Sequence, residues 1–416
     1  MCVAAFGQVV GLNGSNAVVS FGGALKEVSA VLVPKVSTGD TVVVHAGFAT
    51  EIVKDMQKFY KDVVATDAYA AHLLDAIKKE NEKLHGQKFR VMGFCGTHEN
   101  TIVKYGLREL LPQNIRLISG PGCPVCVTPE EELAMGMELL KRENVILTTY
   151  GDLLRVPTPL GSLEQCRARG ADIRMIYDIG QALETARTTD REVVHFAVGF
   201  ETTAPGTAAL LKEAGDIGNF SVLSSHRITP PAMEYVLDNS EIDAILCPGH
   251  VAMVIGTEPF DNISKKYGIP CVISGFEPTD VLEAILRLLA NYGGTDLSII
   301  NQYTRVVEDK GNLLAQSLID EVFTLKDANW RGVGILPKSR LVLKKEYSRF
   351  DAESKFGIGL KDNEVAKHDG CICGEVLKGI EPQHCPNFGK ACTPSNPKGP
   401  CMVSREGTCY IALANN

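Results

Sequence analysis

Phe89-Arg90-Val91-Met92-Gly93-Phe94-Cys95-Gly96-Thr97-His98-Glu99 is the stretch whose reading decides the fold. Its apolar half, Phe89 to Phe94, reads as a buried strand. Behind it, from Asn100 to Leu111, Ile102, Val103, Leu107 and Leu110 fall at helical spacing. Cys95 therefore sits where a strand ends and a helix begins, the edge at which open α/β sheets bind ligands. A thiol near a helix N-terminus is also drawn toward thiolate, the form that attacks electrophiles and binds metals. Thr97, His98 and Glu99 follow within about one helical turn. Alone, this cysteine would favour the plain reading of a buried residue beside a capping threonine; the other cysteines of the chain weigh against that.

Working outward, the same pattern recurs. Strand-like runs lie at Ile115–Ser119, Val145–Thr149, Ile173–Tyr177, Val193–Val198, Ser221–Ser224, Ala244–Cys247 and Cys271–Ser274. Helix-like runs between them include Glu130–Arg142, Ala182–Thr189, Ala208–Ala214, Ala232–Leu237 and Asp280–Tyr292, with a further helix, Asp67–Leu84, ahead of the first strand and Thr66 as its N-cap. Strand and helix in alternation mean α/β architecture with parallel sheet covered on both faces. The expected division is two α/β lobes, 59–190 and 191–296, breaking near Thr188–Arg191 with a cleft between them. A helical and Cys-rich region, 297–416, follows. Residues 1–58 differ: short β-type runs at 9–12, 17–21, 26–33 and 41–45, separated by Gly, Asn and Asp, suggest a small OB-like β-barrel closed by a helix over Ala49–Phe59.

The strand-end loops gather chemistry-bearing groups. Besides the Cys95 loop there are Gly120-Pro-Gly-Cys123-Pro-Val-Cys126, Gly151-Asp152, Gly199-Phe-Glu201-Thr-Thr203, His226-Arg227, Cys247-Pro-Gly-His250 and Gly275-Phe-Glu277. Gly and Pro punctuate ordinary loops, so for Asp152, Arg227 and Glu277 a plain turn role is as good a reading as function. Cys123 and Cys126 stand out as a CxxC before a helix start, with Thr128 as N-cap, Pro129 at N1 and Glu131 completing a capping box. That is the setting of a disulfide-forming pair. Cys166 and Cys271 read as small buried residues, while Cys247 stays ambiguous.

The chain has 416 residues, 45% hydrophobic and 22% charged, an ordinary globular balance. A formal charge of −8 argues against nucleic acid as the main partner. No apolar run reaches the ~18 residues of a membrane span, and the N-terminus lacks a signal-peptide pattern. A cytoplasmic location follows, where the 13 cysteines point to metal or redox chemistry more than to structural disulfides. Six of them, Cys371, Cys373, Cys385, Cys392, Cys401 and Cys409, crowd the Gly- and Pro-rich tail. Four thiolates suit zinc and an iron–sulfur cluster alike, and composition does not decide between them.

With these motifs in place, residues from about 60 to 416 resemble the hydrogenase maturation factor family HypD, through the Cys95–Glu99, Gly120–Cys126, Gly199–Thr203, Pro230–Met233, Pro248–His250 and Gly275–Pro278 motifs and the tail. Residues 1 to about 58 resemble the HypC family, through Met1-Cys2 and Gly39–Ala49, although Phe6 stands where that family usually has Pro. The resemblance implies a scaffold for the Fe(CO)(CN)2 unit of [NiFe]-hydrogenase, redox-active rather than a conventional turnover enzyme. It implies iron ligands Cys2 and Cys95, with His45 and His98 beside them, and a [4Fe–4S] cluster on Cys371, Cys385, Cys392 and Cys409. Cys373 and Cys401 would be the alternates. Implied partners are a HypE-like cyanide donor, the hydrogenase large subunit and the HypC-like module in cis. The rival reading is a stand-alone Fe–S thiol–disulfide oxidoreductase, which needs neither Cys2 nor His45.

Overall fold

A computed structural model describes residues 5–21, 23–45, 48–53, 64, 67–359 and 370–415. The chain divides into two units, Met1–Asp67 and Ala68–Asn416.

The small unit has strands β1 (Ala5–Asn13), β2 (Asn16–Phe21), β3 (Ala24–Ser29), β4 (Thr41–His45) and β5 (Phe48–Val53). Pairing is antiparallel except for one parallel contact, Ser29 with Phe48, and the order β1-β2-β3-β5-β4 returns to β1 through β4. Val9, Val19, Val28 and Val42 fill the interior. The helix expected from Ala49 is not formed at its start. Ala49 and Val53 turn inward at the two-residue period of a strand, and β5 pairs with β4 from Val53 to Phe48. Residues 54–60 of that expected helix, like Thr66, lie outside the described residues.

The large unit contains β6 (Phe89–Gly93), β7 (Ile115–Ser119), β8 (Val145–Thr149), β9 (Ile173–Met175), β10 (Glu192–Gly199), β11 (Phe220–Arg227), β12 (Ala244–Pro248), β13 (Cys271–Ser274), β14 (Ile300–Asn301), β15 (Phe323–Trp330) and β16 (Gly334–Leu343). One sheet, β14-β13-β12-β6-β7, is wholly parallel. The other, β15-β16-β11-β10-β8-β9, is parallel except for the β15–β16 hairpin, which adds antiparallel to β11. Every residue of β8, β11, β12 and β13 is buried, the mark of strands covered on both faces.

The lobes are not consecutive in sequence, against the expected division. The chain lays down β6 and β7, leaves to build β8–β11, returns for β12–β14, and leaves again for β15–β16. β8 and β10 pair across the expected break, Val145 against Glu192. Local alternation identifies strands, but which strands pair is set by long-range packing. Region 297–416 is likewise no separate helical domain, since β14, β15 and β16 complete the two sheets and the only helix of the 297–326 stretch is Leu313–Val322.

Candidate functional site

Parallel strands send their C-terminal loops to one edge. In the five-stranded sheet that edge collects the Cys95 loop after β6, the Cys123 loop after β7, Gly249-His250 after β12 and Gly275–Glu277 after β13. Asp152 and Glu201 follow β8 and β10 of the other sheet.

Cys95 is the N-cap of a helix, Gly96–Lys104, that starts four residues before the expected Asn100. Gly106, at φ +61°, interrupts it before Leu107–Leu110. Burial pushes the Cys95 thiol above its ordinary range. The Thr97 N–H and hydroxyl and the His98 N–H pull the other way, and Glu406 adds to the rise. The thiolate bias expected of a helix start is thus outweighed by desolvation.

His98 is fully buried and stacks on Phe276. Its Nε2 lies 3.0 Å from the Gly275 carbonyl and 3.3 Å from that of Ser274. Two acceptors facing one nitrogen require that nitrogen to carry the proton. Nδ1 is then a bare lone pair, buried and without a partner among the described residues. Burial lowers the His98 pKa to about 4, so the ring is neutral at physiological pH. Glu99 is buried against Arg108 Nη2 at 2.8 Å.

Two glycines hold this loop between neighbours. A Cβ at Gly122 would lie 2.6 Å from the Cys95 nitrogen, and one at Gly96 would lie 2.6 Å from both Cβ and the carbonyl oxygen of Glu406. Gly122→Ala therefore forces backbone apart and is expected to cost about 1–3 kcal/mol. Gly218→Ala, where a Cβ meets nothing within 4 Å, should be near neutral. Denaturant midpoints of the two variants test the difference; equal midpoints would contradict the close approach.

Cys123 and Cys126 form a disulfide with Cα atoms 5.3 Å apart, and both are buried. Cys123 caps the short helix Pro124–Val127. The expected capping box is not formed. Thr128 closes that short helix instead, its hydroxyl donating to the Pro124 carbonyl at 3.0 Å, and Glu131 accepts from Asn329 at 2.7 Å.

Glu201 follows β10, in the other sheet from the strand that precedes Cys95. Its carboxylate accepts the Thr229 N–H at 2.6 Å and the Thr229 hydroxyl at 2.8 Å, at the head of the helix Thr229–Asn239. Burial raises its pKa to about 7. A raised carboxyl contributes stability below its unfolded value and loses it as pH climbs through the folded value. Between pH 4.5 and 7 this site should cost on the order of 3 kcal/mol. Glu201→Gln should lack that slope when denaturation is followed from pH 5 to 8; parallel slopes in the two proteins would contradict the assignment.

In the tail, Cys371, Cys373, Cys385, Cys392 and Cys409 wall one small cavity together with Phe388 and Met402. Cys371 and Cys373 Sγ are 2.9 Å apart. Cys401, fully buried, does not line the cavity but shares hydrogen bonds with the thiols of Cys373 and Cys409. Among the described residues no three His, Cys, Asp or Glu side chains converge on a single-ion position. The tail also reaches the strand-end loops. The Ser404 hydroxyl and the Arg405 N–H donate to Asp152 at 2.9 and 3.4 Å, Ser119 and Thr408 hydroxyls meet at 2.8 Å, and the turn Pro400–Met402 packs on the helix Pro124–Val127. Asp152 thereby gains a structural task. Cys247 and Cys271 are buried on neighbouring strands β12 and β13. Glu277 is the N-cap of the helix Pro278–Asn291.

Of the remaining expected site residues, Cys2 lies outside the described residues, and for His45 only its place at the end of β4 is described. Sequence reading passed over a buried ionic group: Glu132 pairs with Arg227 at 2.7 Å and Arg340 at 3.4 Å, all three nearly solvent-free. Glu132 closes the acidic run Glu130–Glu132 and Arg340 follows Lys338 and Ser339, so the local sequence carries no signal that either is buried. No helix among the described residues is long and apolar enough to cross a membrane.

Comparison with known proteins places the two units in separate families. The HypD profile, described as the hydrogenase formation hypA family, matches residues 68–416, and the HupF/HypC profile matches residues 1–58. Hydrogenase maturation factor HypD2 of Bradyrhizobium diazoefficiens is 43% identical, the match covering 84% of this chain and 95% of that protein. HypD of Cupriavidus necator is 42% identical over 84% and 94% of the two chains. A putative hydrogenase expression/formation protein of Methanocaldococcus jannaschii is 43% identical over 81% and 94%.

Proposed function

Because the chain belongs to the HypD family of hydrogenase maturation factors and carries a HupF/HypC domain at residues 1–58, we propose that it is the scaffold on which the Fe(CO)(CN)2 unit of [NiFe]-hydrogenase is assembled. The iron is cargo. Cys2, freed as the N-terminus once Met1 is removed, and Cys95 hold it as soft thiolates, with His45 the further donor. Low-spin Fe(II) carrying strong-field ligands is well matched to sulfur. A HypE-like protein supplies cyanide equivalents, and the hydrogenase large subunit receives the product.

The observation that carries this reading is the close backbone approach of three cysteine-bearing segments: Gly122 of the CxxC loop against Cys95, and Glu406 of the tail against Gly96. Each residue has a task. Cys95 is protonated when free, so binding iron displaces its proton. Neutral His98, its Nδ1 without a partner among the described residues, offers a lone pair in the first turn of the helix that Cys95 caps. The Cys123–Cys126 disulfide takes two electrons and two protons to become two thiols.

The tail residues fit a [4Fe–4S] cluster. Five thiols face one cavity with no carboxylate in its wall, and they surround a space rather than a single ion position. Cys371, Cys385, Cys392 and Cys409 would hold it, with Cys373 as the alternate of Cys371. When bound, the cluster supplies one-electron chemistry beside the CxxC pair.

The test is replacement in a host that lacks its own HypC and HypD. Supplying this chain should restore iron in the hydrogenase large subunit. A folded, expressed chain that leaves the large subunit without iron would overturn the proposal.

A further inference from the structure

The tail returns to the Cys95 loop through a single turn, Ser404–Gly407. The Gly407 N–H donates to the Ser404 carbonyl at 2.9 Å, and the Glu406 N–H donates to the Ser404 hydroxyl at 3.2 Å. The turn lies between Cys401 and Cys409 and folds back on the first of them, with no room for a Cβ between Gly407 and the Cys401 backbone. Beyond it, the helix Thr408–Ala414 packs on the helix Gly96–Lys104 that Cys95 caps. Within the turn, Glu406 meets Gly96, the residue after Cys95. A Cβ on Gly96 would lie 2.6 Å from both the Cβ and the carbonyl oxygen of Glu406.

What holds the turn is a carboxylate from the other sheet. Asp152 follows β8, and one of its oxygens accepts both the Ser404 hydroxyl at 2.9 Å and the Arg405 N–H at 3.4 Å. Three residues on, the Arg155 guanidinium donates to the Pro394 carbonyl, so the same loop grips the tail twice. Ser404 is 2% exposed, and a buried hydroxyl that loses its acceptor is left with an unmet donor. Cys95, beside the turn, is only half-buried and free. A short turn pinned by a few hydrogen bonds opens locally far more readily than a core strand.

We propose that Asp152 is a positioning residue for Cys95: it latches the turn Ser404–Gly407 onto the Gly96 backbone and thereby sets how far the Cys95 thiol is open to an incoming group. The inference deepens the scaffold reading given above and rests on it for the part that Cys95 plays. The action of Asp152 is mechanical, through two hydrogen bonds and one backbone contact. A single acceptor oxygen is all the latch uses, so Asn can serve at this position and Ala cannot.

The experiment is the rate at which iodoacetamide alkylates Cys95 in the anaerobically purified full chain, freed of loosely held iron with EDTA, each cysteine being followed by peptide mass spectrometry. Labelling through local opening follows the open population. Asp152→Ala should speed the labelling of Cys95 about tenfold, the order expected when a buried donor loses a charged acceptor. Asp152→Asn should stay near the wild type. Ser404→Ala, which keeps the Arg405 N–H bond, should give a smaller rise, and the double variant Asp152→Ala/Ser404→Ala should be no faster than Asp152→Ala alone, since the two residues share one contact. Cys247, buried in the five-stranded sheet, should stay unlabelled throughout, which separates release of the turn from unfolding. An unchanged Cys95 rate in Asp152→Ala would overturn the proposal, as would Asp152→Asn labelling as fast as Asp152→Ala. If Asp152→Ala does not fold, an unchanged rate in Ser404→Ala overturns it and a rise supports it. No step of this assay uses the iron unit, so a chain that shows the latch but never carries carbon monoxide or cyanide would refute the scaffold reading and leave the latch standing.

Discussion

Cys392→Ala should strip the tail of its iron–sulfur centre, with iron and acid-labile sulfide attributable to the cluster falling to background. Cys392 is buried in the cavity wall, and its sulfur accepts the Lys398 N–H at 3.3 Å. Around it, residues 370–415 hold only the short helices Cys373–Leu377 and Thr408–Ala414 and two 3-10 turns. A segment with so little regular structure depends on what its side chains grip. Structural metal sites supply on the order of 10 kcal/mol of folding free energy, more than a few turns of helix return. The variant should therefore also become protease-sensitive, first between residues 370 and 415. Cys166→Ala, on the helix Leu163–Ala168, should leave both measures unchanged. Full iron and sulfide content in Cys392→Ala would show that this thiol is not a ligand.

The second large effect is expected at Cys95. Cys95→Ala should abolish iron delivery to the hydrogenase large subunit while leaving the tail cluster in place, because the two sulfur sites are held by different residues. Cys2→Ala should do the same, and the double variant should be no worse than either single one, since residues acting as one unit are non-additive. Undiminished delivery in either single variant would show that the remaining thiol suffices.

Much of this was legible in the sequence, for identifiable reasons. The strands β8, β10, β12 and β13 are buried over most of their length and carry short apolar runs that stand out in the sequence, while β11 shows only Val222-Leu223 between serines. The strand-end placement of Cys95 and Cys123 followed from that alternation. The pairing of strands did not, because Val145 and Glu192 meet through packing that no local pattern encodes. The β15–β16 hairpin was hidden by Lys326, Asp327, Pro337 and Lys338, charges and a proline that suit an edge and break alternation. Thr128 looked like an N-cap, but Cys123 and Pro124 had already started a turn of helix before it. The thiolate bias of Cys95 was inferred from its helix position alone, whereas burial pushes the thiol up and the charge of Glu406, more than three hundred residues away, adds to the rise. The pairing of Glu201 with Thr229, and the hold of Asp152 on the tail turn, likewise depend on elements distant in sequence. The HypD and HypC resemblances rested on motifs visible at once, and the family matches agree with both.

The most direct test of the central claim is the infrared spectrum of the full chain isolated anaerobically from cells that are assembling a [NiFe]-hydrogenase. Carbon monoxide and cyanide bound to iron absorb where protein is silent. Assembly on this chain predicts bands from both ligands in the wild type and their loss in Cys95→Ala with the tail iron and sulfide retained. A wild-type spectrum without those bands, in protein that holds its full complement of iron, would contradict it.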